Sequence, residues 1–191
     1  MVRMAPLPDF SSAAMADLAE WIDADTAPPV EQWHPERSGE IDIRIASDGR
    51  WFHEGGLITR PALVRLFSRI LRREGDGRYV LVTPAERLAI TVEDLPFVAV
   101  EARVDGAGAA RQIAFRLNSG DLVMAGADHP VRFDIATSGE PQPAVLVRGS
   151  GAAALWARIA RPVYYQLVDC ALADGEERPA LRVAGAEFPL Q

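Results

Sequence analysis

Between residues 42 and 53 stand four side chains of unlike chemistry: a carboxylate (Asp42), a guanidinium (Arg44), an indole (Trp51) and an imidazole (His53). The surrounding chain, "EIDIRIASDGRWFHE", alternates Ile41, Ile43 and Ile45 with Asp42 and Arg44, the pattern of a half-buried strand. Asp48-Gly49 is a favoured two-residue hairpin pair. With that turn, Ala46 faces Trp51, Ile45 faces Phe52 and Arg44 faces His53. Alternation then gathers Asp42, Arg44, Trp51 and His53 on one face. Such a face could hold an anionic or planar ligand, with Arg44 as the fork-shaped donor. The same groups allow a small hydrolase or transferase as the alternative, with Asp42 and His53 moving protons and Arg44 steadying an anion. His53 and Glu54 point apart and make a poor acid–base pair. The competing structural reading is a solvated outer face with cross-strand ion pairing, and a one-residue register slip would undo the grouping.

A fifth residue, Arg60, opens "ITRP". A cation in the first turn of a helix is disfavoured, so Arg60 and its counterpart Arg161 in "IARP" need a carboxylate partner or a use such as an anion. The candidate ligand-binding set is therefore Asp42, Arg44, Trp51, His53 and Arg60. Gly55-Gly56 lacks the spacing of a phosphate-binding loop and reads as a strand-to-helix corner. His34, His53 and His129 have no metal-ligand spacing. "GSG" at 149–151 is not a nucleophile elbow, and Cys170 reads as a small hydrophobe on a helix. No catalytic residue, metal site or cofactor is assigned.

The elements that must position these groups are partly legible. Residues 9–25 have helical spacing, and "TAPPVEQWHPERSG" reads as an irregular linker. Leu63, Leu66, Phe67, Ile70 and Leu71 repeat along one helix face, with Thr59 as a candidate N-cap and Pro61 in the first turn. Arg72 and Arg73 fall in the expected last turn, and Gly75 ends it. From there to about residue 147 the chain reads as strands: "RYVLVT", "RLAITV", "FVAVEARV", "RQIAFRL", "LVMA", "VRFDI" and "AVLV". It turns helical from about Ala152 to Leu172, with Pro162 marking a break or a fresh start, and closes with the strand "ALRVAG".

At an offset of 101 residues the chain matches itself: Ile58, Arg60, Pro61, Leu66, Leu71, Val82, Ala85 and Glu86 lie over Ile159, Arg161, Pro162, Leu167, Leu172, Val183, Ala186 and Glu187. The expected fold class is therefore α+β. A duplicated helix-on-sheet motif would occupy two halves related by a pseudo-twofold, mostly with antiparallel strands. The boundary falls between 1–95 and 96–191.

The 191 residues carry a formal net charge of −7, which argues against a nucleic-acid partner. No stretch approaches the roughly 20 apolar residues of a membrane span. The N-terminus lacks an export signal, so a cytoplasmic location is expected. The chain has no lysine; arginine supplies all its Lys+Arg charge.

"GEIDIRIASDGRWFHEGGLITRPALVRLFSRILRRE", with "VTPAERLAITVEDLPFVAV" after it, resembles the DUF1285 family of bacterial proteins over residues 39–100. The resemblance implies an α+β fold with a structural motif repeated in two halves, and a role in signal transduction. It supplies no catalytic residues. Position 53 in that pattern is often Tyr and position 34 often Asn, so neither His34 nor His53 is expected to be an indispensable acid or base. The expectation is a non-catalytic regulatory or signalling module that binds a small ligand or a protein partner. A homodimer is left open.

Overall fold

The computed structural model describes residues 27–175 and 180–190. The helix expected over 9–25 lies outside them. The described chain is mostly sheet. Its strands are β1 (Arg37–Ile45), β2 (Trp51–His53), β3 (Gly56–Leu57), β4 (Leu71–Arg73), β5 (Tyr79–Val82), β6 (Glu86–Val92) and β7 (Phe97–Asp105), then β8 (Gln112–Leu117), β9 (Leu122–Met124), β10 (Val131–Ile135), β11 (Pro141–Arg148), β12 (Leu155–Ile159), β13 (Ala180–Val183) and β14 (Ala186–Pro189). Among the described residues two α-helices accompany them, α1 (Pro61–Arg69) and α2 (Arg161–Ala173). Neither is long and apolar enough to cross a membrane.

One compact unit holds Ala27–Phe97 and Arg148–Trp156; the other holds Val98–Val147 and, among the described residues, 157–175 and 180–190. The first six-stranded sheet runs β3-β2-β1-β6-β5-β4, with β1 parallel to β6. The second runs β10-β11-β12-β7-β8-β9, and β13 and β14 form a separate hairpin. The mostly antiparallel, sheet-dominated halves fit the expected class, with far less helix than a helix-on-sheet layer would carry.

One turn chemistry recurs. Ala46–Arg50, Glu74–Arg78, Leu117–Asp121 and Ala136–Glu140 each enclose three residues, the last a glycine. In every case the glycine N–H and the first flanking N–H donate across the loop at 2.8–2.9 Å. The closing glycines have φ between +82° and +89°, the left-handed region that favours glycine, as in a three-residue loop with a bulge. Asp48-Gly49 is thus the tail of a three-residue loop, not a two-residue turn.

Two helix expectations are corrected. α1 stops at Arg69, and Leu71–Arg73 is an edge strand instead of a last helical turn. The reason is tertiary: Leu71 is fully buried, and the Arg72 guanidinium donates to the carbonyls of Val30 and Trp33 at 2.9 and 2.7 Å. The helix face also differs from the spacing, because Arg65 and Ser68 are buried while Leu66 is exposed. The cap is Arg60, without a side-chain hydrogen bond, and not Thr59. In the second half, residues 155–159 are strand β12, with alternating burial, and Pro162 marks a fresh helix start at α2.

The 101-residue offset lays β5 on β13 and the body of α1 on α2. The hairpins that follow close differently. Val82 pairs with Arg87 across four residues, whereas Val183 pairs with Ala186 across Ala184 and Gly185, both at positive φ.

Candidate functional site

The longer turn shifts the hairpin register by one residue. Ile45 pairs with Trp51, Arg44 with Phe52 and Ile43 with His53. Because side chains alternate, Trp51 and His53 share a face with Ile43 and Ile45, while Asp42 and Arg44 lie on the other. The expected grouping of Asp42, Arg44, Trp51 and His53 on one face is therefore not formed. Trp51 is 2% exposed and stacks on Phe67 at 6.1 Å between ring centroids. Arg44 pairs with Glu93 and lies 4.4 Å over the Phe52 ring. The Ser47 backbone N–H, followed by the Arg44 side chain, holds the Glu93 carboxyl below its ordinary range. Asp42 and His53 are exposed. Arg60 is exposed too, and among the described residues it meets no carboxylate, so the expected structural pairing is not seen there.

What the first sheet does assemble is a cleft of about 370 Å³ across β1, β6, β5 and the turn that follows β4. Ala89 is small, and Val80 lies beside it in the ladder. On one side Ser38 and Arg87 are register partners in the parallel pair, and the Arg87 Nε donates to the Ser38 hydroxyl at 2.8 Å. Opposite, the Asp76 carboxylate accepts the Arg78 backbone N–H at 3.0 Å and the Arg78 Nε at 2.8 Å. That backbone bond, and then the side-chain bond, hold the Asp76 carboxyl below the usual aspartate range. Glu74 accepts the Arg72 Nε and a terminal nitrogen at 3.2 and 2.7 Å.

The chemistry this arrangement offers is grip rather than proton transfer. Guanidinium groups stay charged at any physiological pH, and the carboxylates are tied to arginines. Among the described residues no histidine or cysteine lines the cleft. Among the described residues no group of three or more His, Cys, Asp and Glu is placed to hold a metal ion.

Sequence reasoning missed Ser38, Arg78 and Arg87. Part of the signal was present: "DGR" occurs at 48–50 and again at 76–78, and both copies fold the same Asp-to-Arg bonds, with Arg50 N–H and Nε on Asp48 at 3.0 and 2.6 Å. The partnering of Ser38 with Arg87 depends on a parallel pairing that local pattern does not encode.

A second, smaller cavity of about 100 Å³ lies in the other unit, between Pro141, Pro143 and the Tyr164–Tyr165 pair, with Arg158 and Arg161 beside it. Cys170 is half-buried, and burial pushes its thiol up.

The fold and the cleft thus define a sheet-dominated, two-unit protein with an arginine-lined recess on its first sheet. Comparison places it further. The model described as "Domain of unknown function (DUF1285), N-terminal domain" matches residues 28–95, and that described as "Protein of unknown function (DUF1285), C-terminal domain" matches 96–190. The chain belongs to the DUF1285 family. A crystal structure of a DUF1285 family protein from Silicibacter pomeroyi DSS-3 is 41% identical, with a TM-score of 0.78 over 94% of this chain and 96% of that one. Another, from Shewanella baltica OS155, is 22% identical, with a TM-score of 0.50 over 68% of this chain and 91% of that one, and shares the fold. No curated protein matches the chain significantly.

Proposed function

We propose that the chain is a non-catalytic binding module, acting in a regulatory setting, whose first sheet takes a small polar ligand in the cleft between Arg87 and Arg78. The observation that carries this reading is the cleft itself. At about 370 Å³ it falls within the size range of small-molecule sites, and its polar groups converge from several chain segments distant in sequence. Its charged side chains are fixed by neighbours, which suits holding over chemistry. The helix–strand unit that occurs in each half supports a duplicated helix-on-sheet scaffold, of which one copy carries the cleft.

A hydrolase or transferase using Asp42 and His53 with Arg44 would need the first two within hydrogen-bond reach. Adjacent registers put them on opposite faces of the hairpin, and the geometry does not favour it.

The test is a fragment screen read by amide chemical shifts. Ligands that raise the melting temperature should move the amides of Ser38, Gly39, Gly75–Arg78 and Arg87–Ala89 together. Hits that map only elsewhere, or no hits from a broad library, would overturn the reading.

A further inference from the structure

Which class of ligand the cleft takes can be argued from how its two arginines are held. We infer that the ligand carries a phosphate-type dianion, gripped by the terminal guanidinium nitrogens of Arg87 and Arg78; this rests on the cleft being the binding site.

Each guanidinium is fixed through its Nε only. Arg87 gives that nitrogen to Ser38 and Arg78 gives it to Asp76, both at 2.8 Å, and among the described residues no further hydrogen bond engages their terminal nitrogens. An Nε anchor sets the plane of the fork and leaves its two-nitrogen edge for an oxyanion, so less side-chain freedom is lost on binding. Charge balance distinguishes the two. Asp76 already neutralises Arg78, and Arg72 neutralises Glu74, but among the described residues the partner of Arg87 is a neutral hydroxyl. Arg87 is therefore the uncompensated cation of the recess, in a chain whose formal net charge is −7. An uncompensated guanidinium attracts an anion locally even though the overall field of an acidic protein opposes it.

The geometry also favours a phosphoryl group over a single carboxylate. One guanidinium fork occupies both oxygens of a carboxylate, whereas three terminal phosphate oxygens can serve two forks approaching from different sides. The volume exceeds what one phosphate fills, leaving room for a small organic body over Val80 and Ala89.

The experiment titrates inorganic phosphate, glycerol 3-phosphate, succinate and glycerol separately into the whole chain at constant ionic strength, by calorimetry and amide shifts. Phosphate or its monoester should bind with shifts at Ser38, Arg78 and Arg87. Arg87→Ala should lose about tenfold or more, the scale of one charge-assisted bond, while circular dichroism stays unchanged. Arg87→Lys should recover only part, because a point charge does not replace the fork. Tighter binding of glycerol 3-phosphate than of phosphate would assign a phosphomonoester; equal binding would assign the free ion. Succinate or glycerol binding in the cleft without phosphate would overturn the inference and leave the binding module standing. No binding in the cleft by any compound, here and in the broad fragment screen, would remove both. Phosphate binding that survives Arg87→Ala and Arg78→Ala together would also overturn it.

Discussion

α1 and α2 begin alike, with Arg-Pro, and each ends against an arginine from its own unit, half-buried at α1 and buried at α2, yet the two ends are built differently. At α1, Arg148 donates to the carbonyls of Ser68 and Leu71 at 2.6 and 2.7 Å. At α2, Arg111 donates to the Cys170 carbonyl at 3.0 Å and to both carboxylate oxygens of Asp174 at 2.9 Å. Carbonyls at a helix C-terminus attract a cation, so either arrangement is favourable. An aspartate there carries the wrong sign, and Arg111 converts it from a liability into a bidentate clamp. The same corner supplies both arginines. Gly106-Ala-Gly and Gly149-Ser-Gly share φ values of +72° and +54° against +78° and +54°, and the arginine sits after the corner in one copy and before it in the other. One loop geometry thus delivers a cap from either flank.

Removing the clamps should separate the two ends most strongly. Arg111 is 3% exposed, and Arg111→Ala breaks a buried bidentate pair, so a loss of about 3 kcal/mol or more is expected in urea unfolding. Arg148→Ala removes the bonds to the Ser68 and Leu71 carbonyls, and a loss of about 2 kcal/mol is expected. A loss below about 1 kcal/mol in Arg111→Ala would show that the clamp does not hold the α2 end.

The corners themselves allow a finer comparison. A Cβ at Gly149 would meet the Ala153 carbonyl oxygen at 2.6 Å, and one at Gly106 would meet that of Ala110 at 3.0 Å. Alanine at positive φ costs roughly 1–2 kcal/mol before any clash. Gly149→Ala should therefore lower the melting temperature more than Gly106→Ala, and the reverse order would show that the two corners relax differently.

Acid should act on the α2 end. Arg111 holds the Asp174 carboxyl below its ordinary value, first through the side-chain hydrogen bond. A carboxylate depressed on folding adds stability that is complete above the unfolded value of about 3.9 and is lost as pH falls through the lower folded value. Hydrogen exchange should show the last turn of α2 loosening in that window. In Arg111→Met the pH dependence of α2 should flatten.

These contrasts also explain what the sequence could and could not say. Alternating apolar residues marked the strands because one buried face leaves a period of two, as Ile43 and Ile45 show. Arg-Pro marked the start of α1, whereas at α2 Pro162 read as a break or a fresh start in a helix expected from Ala152. The end of α1 was not legible, since Leu71 and Arg72 leave helical spacing only to reach a core and two carbonyls held elsewhere in the fold. The hairpin register failed on one residue: Ser47 belongs to the loop, and a Gly at positive φ suits two- and three-residue loops alike. That single step moved Trp51 from the candidate site into the core. The cleft was least visible, because Ser38 and Arg87 meet through a parallel pairing across 49 positions.

The helix starts give the smallest effect and the most direct check on that reading. An arginine paired structurally in the first turn should destabilise the fold when removed. Arg60 and Arg161 are both exposed, and among the described residues neither meets a carboxylate. A cation there opposes the helix dipole by roughly 0.3–1 kcal/mol before solvent screening. Arg60→Ala and Arg161→Ala should each leave stability unchanged or raise it by a few tenths of a kcal/mol, with the gain shrinking in added salt. A loss of more than about 1 kcal/mol in Arg60→Ala alone would reveal a partner for that start and break the likeness of the two helices at the end where they now agree.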